Sequence, residues 1–203
     1  MGITTVDITG VILAGGRGSR MGGVDKGLAP LAGRPMVSYV IDALRPQVGA
    51  LLINANRSED EYAAFGLQVI RDPLEGFAGP LAGMAAALAA ARTPYVVTAP
   101  CDSPLLPNNL VPRLGEALSA ARAQISVAHD GERMHPVFAL MDRGLLDSLR
   151  AYLTSGERKI DRWFARHDLA VCDFSDEADC FLNVNDAGER RALESRLRAT
   201  ERE

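Results

Sequence analysis

Short apolar runs alternate with helical stretches along this chain, and that alternation restricts the fold more than any other feature. Ile8–Leu13 reads as a strand, and Met36–Leu44 as a helix with Met36, Val40, Ile41 and Leu44 on one face. Ala50–Asn54 is a second strand, residues 59–65 a short helix, and Gln68–Ile70 a weaker strand ended by Arg71-Asp72-Pro73. Pro80 opens an alanine-rich helix over 81–91, and Val96 and Val97 mark 95–99 as a buried strand. Residues 107–121 read as helical, 125–128 as extended, and Asp130-Gly131 as a hairpin-type turn into a strand over 135–141. Helices over 145–153 and 160–165, a strand over 170–174 and a helix over 187–197 with a charged outer face complete the pattern. Such a series predicts an α/β architecture in three layers, Rossmann-like, with a mostly parallel central sheet covered on both faces. No repeat or low-complexity linker divides residues 1–203, so a single domain is expected.

In sheets of this kind ligands bind beyond the carboxyl ends of the strands. The segments that follow the strands are 15–27, 54–57, 71–73 and 100–104, and they should converge on one crevice. The first of them is rich in glycine: Gly15, Gly16 and Gly18 let backbone N–H groups approach phosphates, with Gly22 and Gly23 further along. Arg17, Arg20 and Lys26 add positive charge. Two commoner loops are excluded by residue identity. A dinucleotide fingerprint starting at Gly16 and Gly18 meets Met21 where its third glycine belongs. A Walker A loop needs Gly-Lys followed by Ser or Thr, whereas Lys26 stands between Asp25 and Gly27.

With 22 basic and 26 acidic residues the net charge is -4, which disfavours a non-specific nucleic-acid binder. Hydrophobic residues at 47% and charged ones at 24% suit a globular core. Residues 1–10 show no secretory pattern, and the small apolar stretch over 79–91 is too short to cross a bilayer. Cys101, Cys172 and Cys180 have no zinc or disulfide spacing, so a cytoplasmic setting is the default expectation, with no membrane partner.

The run Leu13-Ala14-Gly15-Gly16-Arg17-Gly18-Ser19-Arg20-Met21-Gly22-Gly23-Val24-Asp25-Lys26 resembles the signature loop of nucleotidyltransferases, and in detail that of the molybdenum cofactor guanylyltransferases, the MobA family. Further segments resemble that family in its order: Asn54-Ala55-Asn56-Arg57, Gly79-Pro80-Leu81-Ala82-Gly83-Met84, Pro100-Cys101-Asp102-Ser103-Pro104, His129-Asp130-Gly131-Glu132-Arg133, Gly156-Glu157-Arg158 and Asn183-Val184-Asn185. The resemblance spans roughly residues 11–190. It implies a nucleotidyltransferase fold with a nucleotide-binding N-terminal part and an acceptor-binding C-terminal part. The implied activity transfers GMP from GTP to the terminal phosphate of molybdopterin, or of its molybdenum-loaded form, and releases pyrophosphate. Mg²⁺ is the implied cofactor, and molybdenum-insertion and molybdoenzyme-delivery proteins are candidate partners.

Asp102 follows a strand, so its carboxylate should reach the crevice, and magnesium often takes only one or two carboxylates besides phosphate and water. The resemblance places the metal there; the plainer role is a turn aspartate before Pro104. An Asp-x-Asp pair is absent because position 100 is Pro, and Asn185 or Asp186 is the candidate for a second ligand. Arg20 and Lys26 are expected on phosphates, and with Asp102 they form the catalytic set. Leu13, Ala14 and Gly15 can offer backbone groups to a purine edge, Asn54 offers donor and acceptor, and Asp72 can accept from the N1 and N2 edge of guanine. By resemblance these positions, with Lys26 and Asp102, bind GTP; Asn54 ending a strand and Asp72 opening a turn are the ordinary uses. Gly79 and Gly83 suit close helix packing, Arg158, Lys159 and Arg162 form a basic cluster that could dock the pterin's phosphate, and Cys101 reads as a small buried residue. Ala14-Gly15-Gly16 is closer to guanylyltransferases than the Ala-Ala-Gly of related cytidylyltransferases. Alternatives are CTP transfer to molybdopterin, transfer to a sugar phosphate, and a non-catalytic nucleotide-binding regulator.

Overall fold

The computed structural model describes residues 2–15, 25–72, 79–184 and 187–200, the last helix with side chains over 188–195. In chain order the strands and helices are β1 (Ile8–Leu13), β2 (Pro30–Leu31), β3 (Arg34–Pro35), α1 (Met36–Leu44), β4 (Ala50–Asn54), α2 (Glu59–Ala63), β5 (Gln68–Ile70) and α3 (Pro80–Ala90). They continue as β6 (Tyr95–Pro100), α4 (Leu110–Ala121), β7 (Ile125–His129), β8 (Met134–Asp142), α5 (Leu146–Thr154), α6 (Ile160–Phe164), β9 (Leu169–Asp173) and α7 (Ala187–Thr200).

A seven-stranded sheet runs in the order β5-β4-β1-β6-β8-β7-β9. Strands β5, β4, β1 and β6 are mutually parallel, β7 is parallel to β9, and β8 runs antiparallel to both β6 and β7. The first crossovers step outward from β1 through β4 to β5, and the next returns to the other side of β1 as β6. The switch point therefore lies between β1 and β6, where Leu13 is in register with Asn54 on one side and Pro100 on the other.

The period of two along the strands separates two cores. Ile8 and Ile12 of β1, Ile53 of β4 and Val97 of β6 pack with α1 and α4, through Val37, Val40, Ile41, Leu44, Leu110, Leu114 and Leu118. Val11, Leu52 and Val96 point the other way, into α3, α5 and α6, through Leu81, Met84, Leu88, Leu149, Trp163 and Phe164. Helix, sheet, helix gives the expected three layers. Helix α3 is buried on nearly every side from Leu81 to Leu88, which its alanines permit by letting it lie close to the sheet.

Several boundaries differ from the sequence reading for local reasons. The helix expected over 107–121 begins at Leu110, because the chain before it closes a turn with Leu110 N–H donating to Pro107 O. The helix expected over 59–65 stops at Ala63, and Gly66, with φ of 72°, turns the chain toward β5. The periodicity leaves residues 30–35 unassigned; they form the small β2–β3 hairpin, whose turn residues Ala32 and Gly33 both have positive φ, 48° and 84°. Phe174 is followed by a 3-10 segment, Ser175–Phe181, that the sequence pattern does not announce.

Candidate active site

The described residues just past β1, β4, β5 and β6 meet at the switch point. Backbone bonds carry the sheet past the strand ends: Ala14 N–H donates to Asn54 O at 2.8 Å and Cys101 N–H to Leu13 O at 3.1 Å. Ala55 N–H donates to Ile70 O at 3.0 Å, which ties the chain after β4 to the end of β5.

On the α3 side lies a polar group built from the β4 and β5 ends. Asn54 Nδ2 donates to Asp72 Oδ1 at 2.9 Å and to Ile70 O at 3.3 Å, although Asn54 is almost wholly buried. Asn56 grips Asp72 twice, with Nδ2 donating to Asp72 Oδ2 at 2.7 Å and Oδ1 accepting from Asp72 N–H at 2.9 Å. Gly15 faces this group closely: a methyl on it would lie 3.0 Å from Asn56 Nδ2 and 3.8 Å from Asp72 Oδ2. Gly83 of α3 closes the floor, where a methyl would lie 2.5 Å from Asn54 Oδ1. Leu13, Ala14, Gly15, Asn54 and Asp72 are thus brought together, and Asn56 joins them. In the sequence Asn56 is only one residue of the Asn54-Ala55-Asn56-Arg57 run; its two-point grip on Asp72 is a tertiary fact that spacing does not carry.

On the α1 and α2 side, Lys26 Nζ lies 3.1 Å from Asp102 Oδ2, with Lys26 a quarter exposed and Asp102 largely buried. The turn carrying Asp102 is held from behind. Val184 N–H donates to Asp102 O at 2.9 Å, and Ser103 Oγ donates to Asn183 Oδ1 at 2.5 Å. The segment 183–184 is thereby fixed beside Asp102, and Asn185 and Asp186, next along, lie outside the described residues. Arg17 and Arg20 lie outside them as well, with Gly16, Gly18, Gly22 and Gly23.

Burial, first, and the neighbouring acidic groups push the Cys101 thiol well up, so it is a poor nucleophile. Arg158 Nη1 donates to Leu153 O and Glu157 O, capping the chain after α5, and Arg162 pairs with Glu157 at 3.8 Å. Gly79, with φ of 76°, admits the turn into α3.

At the strand ends, then, a largely buried carboxylate faces a lysine on one side, and an Asn-Asp pair stands on the other. The model of the MobA-like NTP transferase domain matches residues 10–171. The molybdenum cofactor guanylyltransferase of Cupriavidus taiwanensis is 53% identical over 195 residues, covering 94% of this chain and 98% of the relative. The chain belongs to the MobA-like nucleotidyltransferase family. A second MobA-family relative of the same name, from Shewanella loihica, is 48% identical over 186 residues, covering 92% of this chain and 95% of its own. Among solved structures, molybdopterin-guanine dinucleotide biosynthesis protein A of Archaeoglobus fulgidus superposes with a TM-score of 0.79 at 21% identity, covering 94% of this chain and 99% of that one. 4-Diphosphocytidyl-2C-methyl-D-erythritol synthase of Anaerococcus prevotii superposes with a TM-score of 0.73 at 10% identity, covering 96% and 97%. At those identities the likeness is one of fold.

Proposed function

We propose that this chain transfers GMP from GTP to the terminal phosphate of molybdenum-loaded molybdopterin, forming a guanine dinucleotide cofactor and pyrophosphate. The observation that carries the reading is the placing of two groups on either side of one switch point. One is the Lys26–Asp102 pair at 3.1 Å, and the other is the Asn54–Asp72 pair at 2.9 Å. The names of the MobA-family relatives supply the base and the acceptor. One seven-stranded sheet that takes in strands from both ends of the chain, β1 and β9 among them, supports a single domain.

Magnesium fits this crevice. Asp102 offers carboxylate oxygens, of which the Lys26 contact engages one. Magnesium often takes only one or two carboxylates, with substrate phosphates and water completing the shell. Held by Asp102, the ion would neutralise charge on the phosphates and the departing pyrophosphate. Asp72, with two lone-pair directions left beside the Asn54 and Asn56 bonds, can accept from the N1 and N2 edge of guanine. Gly15 is close to Asp72, and on this reading the backbone of Leu13, Ala14 and Gly15 meets the same base. Lys26 and Arg20 orient the triphosphate for in-line attack.

An oxygen of the acceptor phosphate forms a bond to the α-phosphorus of GTP, and the bridging bond to the β-phosphate breaks. Its electron pair leaves on pyrophosphate. The attacking oxygen is already ionised at neutral pH, so no side chain need remove a proton. The free cysteines suit a reducing, cytoplasmic setting; among the described residues no helix is long and apolar enough to cross a membrane. Pyrophosphate release from GTP, CTP, ATP and UTP with Mg²⁺ and the pterin acceptor tests the reading. Release from GTP alone is expected. A preference for CTP overturns the guanine assignment, and release from none overturns catalysis.

A further inference from the structure

Asp25 is a carboxylate buried to 7% exposure directly before Lys26, and the mechanism above gives it no task. Burying a carboxylate is costly unless its charge is matched, so its partners show what the cost secures. Oδ1 accepts from Tyr62 OH of α2 at 2.5 Å and from Gly27 N–H at 3.2 Å. Oδ2 lies 3.4 Å from Arg57 Nε, on the turn that follows β4. This one side chain therefore ties its own turn, 25–27, to the stretch from Arg57 to Tyr62.

The residue on the other side of Lys26 is pinned by the same phenol. A methyl on Gly27 would fall 2.5 Å from Tyr62 OH and 3.1 Å from both Cβ and Sγ of Cys101. Tyr62 is itself fully buried, and burial, with its Cys101 and Asp25 neighbours, pushes its phenol well up, so it remains an O–H donor. Lys26 is thus held between two fixed residues, and its ammonium is delivered to Asp102 at 3.1 Å. A lysine has the rotamer freedom to miss such a target if its backbone can shift. We propose that Asp25, clamped by Tyr62 and Arg57, is a positioning residue that sets Lys26 against Asp102 for the transfer reaction.

The proposal rests on the nucleotidyl-transfer reading, and a double-mutant cycle on the full chain tests it. Turnover with GTP, Mg²⁺ and the pterin acceptor is measured for wild type, D25N, K26A and D25N/K26A, with thermal melts of each. If Asp25 acts through Lys26, D25N lowers kcat by about tenfold or more in the wild-type background. It then changes kcat less than about twofold once Lys26 is gone, because contacting groups are non-additive. Equal factors in both backgrounds, or an unchanged kcat in D25N, overturn the role. Y62F deletes one oxygen from a packed ring and decides the matter by the same cycle should D25N fail to fold. Wild type is the control for the function. If it consumes a triphosphate other than GTP, the guanylyl reading falls, and the cycle run on that triphosphate still decides Asp25.

Discussion

At the scale of single residues, Asp102 was legible because it stands just past the end of β6, where side chains of this fold class must face the crevice, and Lys26 because it ends the Met21–Lys26 run that resembles the family's loop. Their meeting at 3.1 Å bridges 76 positions, and it follows from β1 and β6 being neighbours, which the local pattern does not state. Asp102→Ala should abolish turnover while leaving the melting curve close to wild type, since the side chain is on a turn and outside both cores. Wild-type activity of that variant with Mg²⁺ removes Asp102 from the reaction. Lys26→Ala should lower kcat by about a hundredfold, the scale of one preorganised charge contact, or about 2.7 kcal/mol of transition-state stabilisation. A near-normal rate takes Lys26 out of the catalytic set. Tyr62 shows the opposite case. In sequence it is one aromatic in a short helix, indistinguishable from core filling, and its bond to Asp25 spans 37 positions. No spacing rule reaches that far.

At the scale of elements, α3 shows how a site can reverse an ordinary helix rule. Replacing a helical glycine by alanine usually stabilises by about 1 kcal/mol. At Gly83 the new methyl would meet Asn54 Oδ1 at 2.5 Å, and Asn54 cannot swing aside cheaply because its Nδ2 is committed to Asp72 and Ile70 O. Crowding of that kind costs about 1–3 kcal/mol. Gly83→Ala is therefore expected to lower the melting temperature and weaken GTP binding together; a rise in melting temperature contradicts the packing. The β7–β8 hairpin offers a pH test. Asp130 accepts from Arg133 N–H and Glu132 N–H, both at 2.8 Å, and sits 2.6 Å from His135 Nε2. These bonds hold its carboxyl well below the usual carboxylate range. A depressed pKa gives stability that is complete above the unfolded value, about 4, and is lost as pH falls toward the folded value. The stability gap between wild type and Asp130→Asn should be full at pH 7 and shrink below about pH 4 in denaturant titrations. A gap that stays constant would assign the stabilisation to shape alone. The turn itself was readable as Asp-Gly, whereas the insertion of β8 between β6 and β7 was not.

At the scale of the molecule, alternation revealed the three layers but not the strand order, because period two tells which face a residue buries and not which strand lies beside it. That order decides function, since it puts the switch point at β1 and β6 and gathers loops from four strands into one crevice. Ligand binding should then register on the whole fold, because those loops are anchored by sheet bonds such as Ala14 N–H to Asn54 O. A ligand at a hundred times its Kd that binds only the native state adds about 2.7 kcal/mol. For a chain of this size each kcal/mol raises the melting temperature by about 2–4 °C, so GTP with Mg²⁺ should raise it by roughly 5–11 °C. The corner around Lys26 sets the metal dependence. There Asp25 and Asp102 balance Arg57 and Lys26, so the described side chains of that corner supply no net positive charge to a triphosphate. GTP with a chelator should therefore recover only a minor part of the shift, and the shift of Asp102→Ala should not change when Mg²⁺ is added. Calorimetric or dye-based melts across GTP, CTP, ATP and UTP read all of this in one series. A full shift by GTP in chelator would locate the binding energy in the loops and the base alone, and would sink the role given to the metal at Asp102.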